Sequence, residues 1–111
     1  MQSEADLAAI DRAHLKAMTM GDEALARDVL ALFERQGAMM MKRLPGADAK
    51  AKAEMAHALK GSARGIGAWR VADAATLVEI AGDAIALKEL DEAVAEARME
   101  IALVLKEASP F

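Results

Sequence analysis

Gly21–Asp22, Leu44–Pro45–Gly46, Gly65–Gly67 and Gly82–Asp83 interrupt a chain that is otherwise built from strong helix formers. A glycine inside a helix costs about 1 kcal/mol against alanine and a proline about 3, so such clusters mark ends. Between them, apolar residues recur at helical spacing. Leu7, Ile10, His14, Ala17 and Met18 follow a capping-box-like Ser3 and Asp6, which predicts a first short helix to about Thr19. A second helix is predicted over about Glu23 to Arg43, with Leu25, Val29, Leu32, Phe33, Gln36 and Met40 along one side, and a third over about Asp48 to Arg64. The fourth begins near Trp69 and carries Val71, Ala74, Leu77, Val78 and Ala81; the fifth covers about Leu87 to Ala108 through Leu90, Val94, Ala97, Ile101 and Leu105. Long amphipathic helices on short connections make antiparallel neighbours. The expected fold is therefore all-α: one domain over 1–111, in which 22–108 form an up-and-down four-helix bundle. Residues 1–20 add an N-terminal helix as a lid or appendage.

Composition agrees and narrows the function. Hydrophobic residues make up 55% of the 111, aromatics only 3%, and tyrosine is absent, a mix that favours helix over sheet. A net charge of −4 argues against nucleic acid as a partner, because phosphate backbones need clustered basic surface. With no cysteine there is neither a disulfide framework nor a thiolate metal site. No uncharged apolar run approaches the roughly 20 residues of a membrane span, and the acidic start MQSEADLAAIDR is unlike a secretory signal, so no membrane is expected and the predicted address is the cytoplasm. No phosphate-cradling glycine loop follows a strand, so the chain has no visible means of binding ATP.

One stretch resists the helical logic. AHALKGSARGIGA, from Ala56 to Ala68, holds Gly61, Gly65 and Gly67 within seven residues. Advancing about 100° per residue from His57 sorts the third helix into two poles. Lys50, Ala53, Glu54, Lys60, Gly61 and Arg64 fall within about 60° of the histidine, while Met55, Leu59 and Ile66 lie opposite, flanked by Ala51, Ser62 and Ala63. His57 thus points to solvent, with Ala53 one turn before it and Gly61 one turn after. Nothing bulky flanks the imidazole, so another protein's surface can come close to it. The missing side chain at Gly61 is access. Lys60 brings a positive charge suited to a phosphoryl group, and a neutral imidazole is a competent nucleophile. The other histidine, His14, shares its face with Leu7, Ile10, Ala17 and Met18 and is predicted to pack.

Competing chemistries fit less well. Met39, Met40 and Met41 fan over about 200° and cannot all ligate one ion; one or two fill the core, and an exposed one could join a docking surface. Glu54 and His57 at i, i+3 resemble half of a carboxylate-bridged metal site, but the comparable pair Asp11 and His14 lies on a helix placed outside the bundle, so no metal is expected. Glu96, Arg98, Glu100 and Lys106 on the last helix read as a solvated face.

The run HALKGSARGIGA resembles the signature of histidine-containing phosphotransfer (HPt) domains: a histidine, lysine at i+3, glycine at i+4, small residues and a closing glycine–alanine pair. Such domains are helical bundles of similar size that relay phosphoryl groups between aspartates of response-regulator receiver domains. The resemblance implies His57 as phosphoacceptor, Lys60 as phosphoryl-stabilising cation, and Gly61 as the small docking residue, with Ala53, Glu54 and Arg64 completing the partner-docking face. It further implies a monomeric phosphocarrier rather than an enzyme with its own turnover. Its partners are receivers and a hybrid histidine kinase; magnesium and the catalytic acids belong to the receiver, and no cofactor belongs to this chain. Two rivals follow from the same residues. One is a helical adaptor bundle that binds a signalling partner without phosphotransfer, against which the intact Lys60 and Gly61 count. The other is the dimerisation and phosphotransfer segment of a histidine kinase, which usually has an acidic residue and a proline where this chain has Ala58 and Gly61.

Overall fold

The computed structural model describes residues 8–111. Five helices follow one another: α1 (Arg12–Met18), α2 (Glu23–Arg43), α3 (Ala49–Ile66), α4 (Trp69–Ile80) and α5 (Ala84–Val104), with a 3-10 turn at Leu44–Gly46 between α2 and α3. Successive long helices pack side by side, and α2 closes the ring against α5. The result is the expected antiparallel four-helix bundle with an additional short N-terminal helix. Ser3, Asp6 and Leu7, which carried the predicted start of the first helix, lie outside the described residues.

Four aspartates set the helix starts. The carboxylates of Asp11, Asp22, Asp48 and Asp83 accept from the backbone N–H of His14, Leu25, Ala51 and Ala86 at 3.1, 3.0, 2.8 and 2.8 Å. Each such cap contributes about 1 kcal/mol by satisfying a donor that the helix itself cannot. Asp83 consequently opens α5 at Ala84, three residues before the predicted start. The same helix ends at Val104 instead of Ala108, because the Arg27 guanidinium donates to the carbonyls of Leu105, Glu107 and Ala108 at 3.2, 2.9 and 3.0 Å and draws the chain out of helix.

The core faces differ from the predicted stripes. On α2 the buried residues are Ala26, Leu30, Phe33, Gly37 and Met40, while Leu25 and Leu32 are exposed. On α4 the buried set is Val71, Ala72, Ala74, Ala75 and Val78, with Leu77 and Ala81 outside. The reason is steric: these helices approach over small residues. A Cβ at Gly37 would meet Val94 Cγ1 at 3.1 Å, so the α2–α5 crossing relies on the absent side chain. The charges of α5 are also less idle than a solvated face. Glu96 pairs with Arg70 at 2.6 Å, Arg98 with Glu34 at 2.7 Å and Glu100 with Arg12 at 3.0 Å, tying α5 to α4, α2 and α1. Exposed pairs of this kind contribute under about 1 kcal/mol each.

Nor is α1 an appendage. Its Leu15 is fully buried, and Ile10 before it and Thr19 after it are buried too. Asp11 N donates to the carbonyl of Gly67 at 2.9 Å, and Trp69 Nε1 donates to Asp11 Oδ2 at 3.0 Å. The His14 ring lies against the Trp69 indole, centroids 4.6 Å apart, and its Nε2 is 2.8 Å from the Arg64 carbonyl oxygen. This clasp explains Gly67, the left-handed C-cap of α3 at φ +79°, where a Cβ would sit 2.7 Å from the Asp11 carbonyl oxygen. Gly65, predicted as part of the same break, stays inside α3.

The indole N–H, foremost, holds the Asp11 carboxyl below its ordinary value of 3.8. A depressed carboxyl contributes stability that is complete above the ordinary value and disappears as pH falls through the lower, folded one. Asp11→Ala is therefore expected to lose about 1–2 kcal/mol at pH 7. The gap from wild type should close below pH 3.8. Denaturant melts followed through Trp69, the lone tryptophan, measure this; a gap independent of pH would mean that the charge of Asp11 is irrelevant to the clasp.

Candidate functional site

Residues 49–66 form one uninterrupted helix because Asp48 caps its start and alanine dominates its first turns. Its buried face is Ala56, Leu59, Ala63 and Ile66, which turns His57 outward; the imidazole side chain is 74% exposed. Glu54, Gly61 and Arg64 are exposed along the same side and Ala53 is half-buried. An added Cβ at Gly61 would meet nothing within 4 Å, and the same holds at Gly65. The side of α3 beyond His57 is thus open at two positions one turn apart, Gly61 and Gly65.

Lys60, expected as a cation beside the ring, is instead paired across to the neighbouring helix. Its side chain is only 15% exposed, and Nζ lies 2.7 Å from Glu79 Oε1. The other oxygen of that carboxylate, Oε2, is 3.5 Å from His57 Nδ1. Glu79 belongs to α4, and sequence reading along α3 alone misses it. The signal was nevertheless there: His57 and Glu79 lie eleven residues either side of Ala68, the turn of the α3–α4 hairpin, so antiparallel folding brings them level. Lys60, chiefly, keeps the Glu79 carboxyl below its ordinary 4.5, with His57 adding in the same sense. The carboxylate is therefore ionised at neutral pH.

Beside this face, Met18, Leu25, Val29, Leu32 and Phe33 line an apolar groove of about 240 Å³ whose other wall is Ser62, Gly65 and Ile66 of α3. Met18 and Leu32 are 57% and 59% exposed. Of the residues predicted for the core of α2, Leu25 and Leu32 thus border the site's surroundings instead.

A one-helix-face histidine, a lysine and glycine one turn on, and a four-helix bundle frame are shared features of one family. The family model described as the Hpt domain matches residues 2–108 of the chain. This protein belongs to the Hpt domain family. No match was found among curated proteins or among solved structures. Hpt domains are phosphocarrier modules rather than enzymes, and they exchange phosphoryl groups with receiver domains and kinases in phosphorelays. Among the described residues of this Hpt domain, no helix is long and apolar enough to cross a membrane. Its two imidazoles have opposite settings. His14 is engaged on both its edge and its face by Arg64 and Trp69, whereas the largely exposed His57 has Glu79 as its polar partner among the described residues.

Proposed function

We propose that this Hpt domain accepts a phosphoryl group on His57 from the aspartyl phosphate of a receiver domain and passes it to another receiver. The observation that carries this reading is the exposed imidazole beside the glycines Gly61 and Gly65, with the Lys60 ammonium held on the same Glu79 carboxylate that faces the ring. A bare stripe lets the partner bring its aspartate within about 3–3.5 Å of the reacting atoms, where most of the rate gain of in-line transfer arises. The imidazole nitrogen forms a bond to phosphorus as the aspartyl oxygen–phosphorus bond breaks, and the carboxylate departs with its electron pair. Ala53, Glu54, Gly61 and Arg64 form the docking face around the histidine, and the apolar groove bordered by Met18, Leu25 and Leu32 extends it. Magnesium and the acids that hold it belong to the receiver. The carrier works as a cytoplasmic monomer with no cofactor of its own.

Incubation with a panel of phosphorylated receivers from the same cell tests the reading. Rapid, selective appearance of acid-labile, base-stable phosphate on this chain is the expected result. Binding to receivers with no transfer would leave the chain an adaptor, and a stable dimer would favour a kinase dimerisation segment.

A further inference from the structure

Three residues of α3 stand seven positions apart on its open side: Lys50, His57 and Arg64. Seven residues fall about 20° short of two full turns and rise about 10 Å, so the two cations lie almost in line with the imidazole, one on either side of it. Both are exposed. We propose that Lys50 and Arg64 are paired electrostatic anchors for docking, and that the partner of this face carries carboxylates on both sides of its reacting aspartate, about 20 Å apart. That the partner is a receiver rests on the function proposed above; the placement of the two cations does not.

Lys50 is the residue that calls for a reason. It is second in α3, after the capping Asp48, and the first turn of the helix holds no acid. A helix N-terminus carries partial positive charge, which disfavours a cation there. Two other helices begin with a cation, and each of those cations meets a carboxylate. Arg12, first in α1, lies 3.0 Å from Glu100 and 2.7 Å from Glu107, and Arg70, second in α4, lies 2.6 Å from Glu96. Among the described residues Lys50 forms no ion pair, although Glu54 follows it by one turn. A lysine that precedes a glutamate at this spacing is the weaker order. Local energetics therefore gives no account of Lys50. Arg64, in the last turn, does suit the negative end of the helix, but among the described residues it too has no carboxylate. Lys60 is answered by Glu79 at 2.7 Å and adds no net charge to the face.

Between the anchors the surface is low. Ala53 lies on one side of the histidine, and a Cβ at Gly61 on the other would meet nothing within 4 Å. A partner resting there comes within reach of both long side chains. The chain as a whole carries a net charge of −4, so an acidic partner is repelled in general and attracted along this stripe, which orients the encounter. Glu54, between Lys50 and His57, opposes a carboxylate set beside the ring and confines the attraction to the two ends. Charges at the rim of an interface act chiefly on association rate and its salt dependence.

The test follows association with the receiver from the same cell that binds this chain most tightly, at about 0.02 M and about 0.5 M salt, together with transfer at saturating phosphorylated receiver. Lys50→Glu and Arg64→Glu are each expected to slow association roughly threefold to tenfold at low salt, with the difference nearly gone at high salt. Transfer at saturation should stay at the wild-type rate, because neither cation reaches the reacting atoms. Lys88→Glu makes the same change of charge on α5, across the bundle, and should alter association less than twofold. Lys50→Glu should also melt at or above the wild-type temperature, since an acid suits that end of the helix, so a damaged fold cannot explain its slower association. Wild-type association by Lys50→Glu and Arg64→Glu, or a loss no larger than that of Lys88→Glu, would overturn the anchors while leaving the phosphocarrier reading intact. A fall in the saturated rate with association unchanged would overturn them as well. Salt-sensitive loss of binding in both variants, with no transfer from any phosphorylated receiver, would sink the phosphocarrier reading while the anchors stood.

Discussion

His57→Ala is expected to abolish phosphoryl acceptance while helix content and melting temperature stay near those of the wild type. The side chain is 74% exposed, with the carboxylate of Glu79 as its ionic partner among the described residues, so its removal opens no cavity. Surface substitutions of this kind change stability by within about 0.5 kcal/mol. His14→Ala should do the reverse. It removes the contact with the Trp69 indole and the hydrogen bond to the Arg64 carbonyl, so it should lower the melting temperature yet leave acceptance intact. Circular dichroism melts and a phosphotransfer time course on the same two variants separate the roles. Acceptance that survived in His57→Ala and vanished in His14→Ala would place the phosphate on the wrong face of the bundle.

Gly61→Gln is expected to melt higher than wild type and to transfer phosphate more slowly. The position is helical and exposed, and a Cβ there would meet nothing within 4 Å, so a side chain can leave the helix without a clash at its first atom. Removing the glycine raises helix propensity and restricts the unfolded chain, which together stabilise by up to about 1 kcal/mol, or roughly 4–8 °C in a domain of this size. The new side chain projects one turn from His57, into the space a receiver needs. Gly61→Ala should gain as much stability and fall between the two proteins in transfer rate. Wild-type transfer by Gly61→Gln would remove access as the reason for the glycine. A lower melting temperature would mean that the residue is there for packing after all.

Much of this molecule was legible in its sequence because glycine and aspartate punctuate it. Gly21 with Asp22, and Gly82 with Asp83, mark the junctions that the structure shows, and the outward setting of His57 follows from the periodicity of α3. What periodicity misjudged was the rotation of α2 and α4. Leu25, Leu32 and Leu77 looked like core because leucine is the more hydrophobic choice, but the helices pack over Ala26, Gly37, Ala72 and Ala75. Close approach of backbones selects small residues, and a scale of hydrophobicity does not register that. The clasp at Asp11, Gly67 and Trp69 was hidden for a different reason: hydrogen bonds between residues more than fifty positions apart leave no periodic trace. Glu79 was missed in the same way, since a helix read in isolation has no partner helix.

The register of the α3–α4 hairpin has a consequence for how the chain tolerates change in length. Glu79 follows His57 by 22 positions, across a turn tightened by Gly67 and Ala68. Deleting or inserting one residue anywhere between them would swing Glu79 by about 100° around its helix and displace it about 1.5 Å along the axis. The carboxylate would then face the core or the solvent, and the histidine would keep its neighbours along α3 while losing the one from across the hairpin. Spacing across the turn is therefore as much a part of the site as the side chains themselves, and a chain that kept every residue of the histidine motif could still lose it to a single-residue slip.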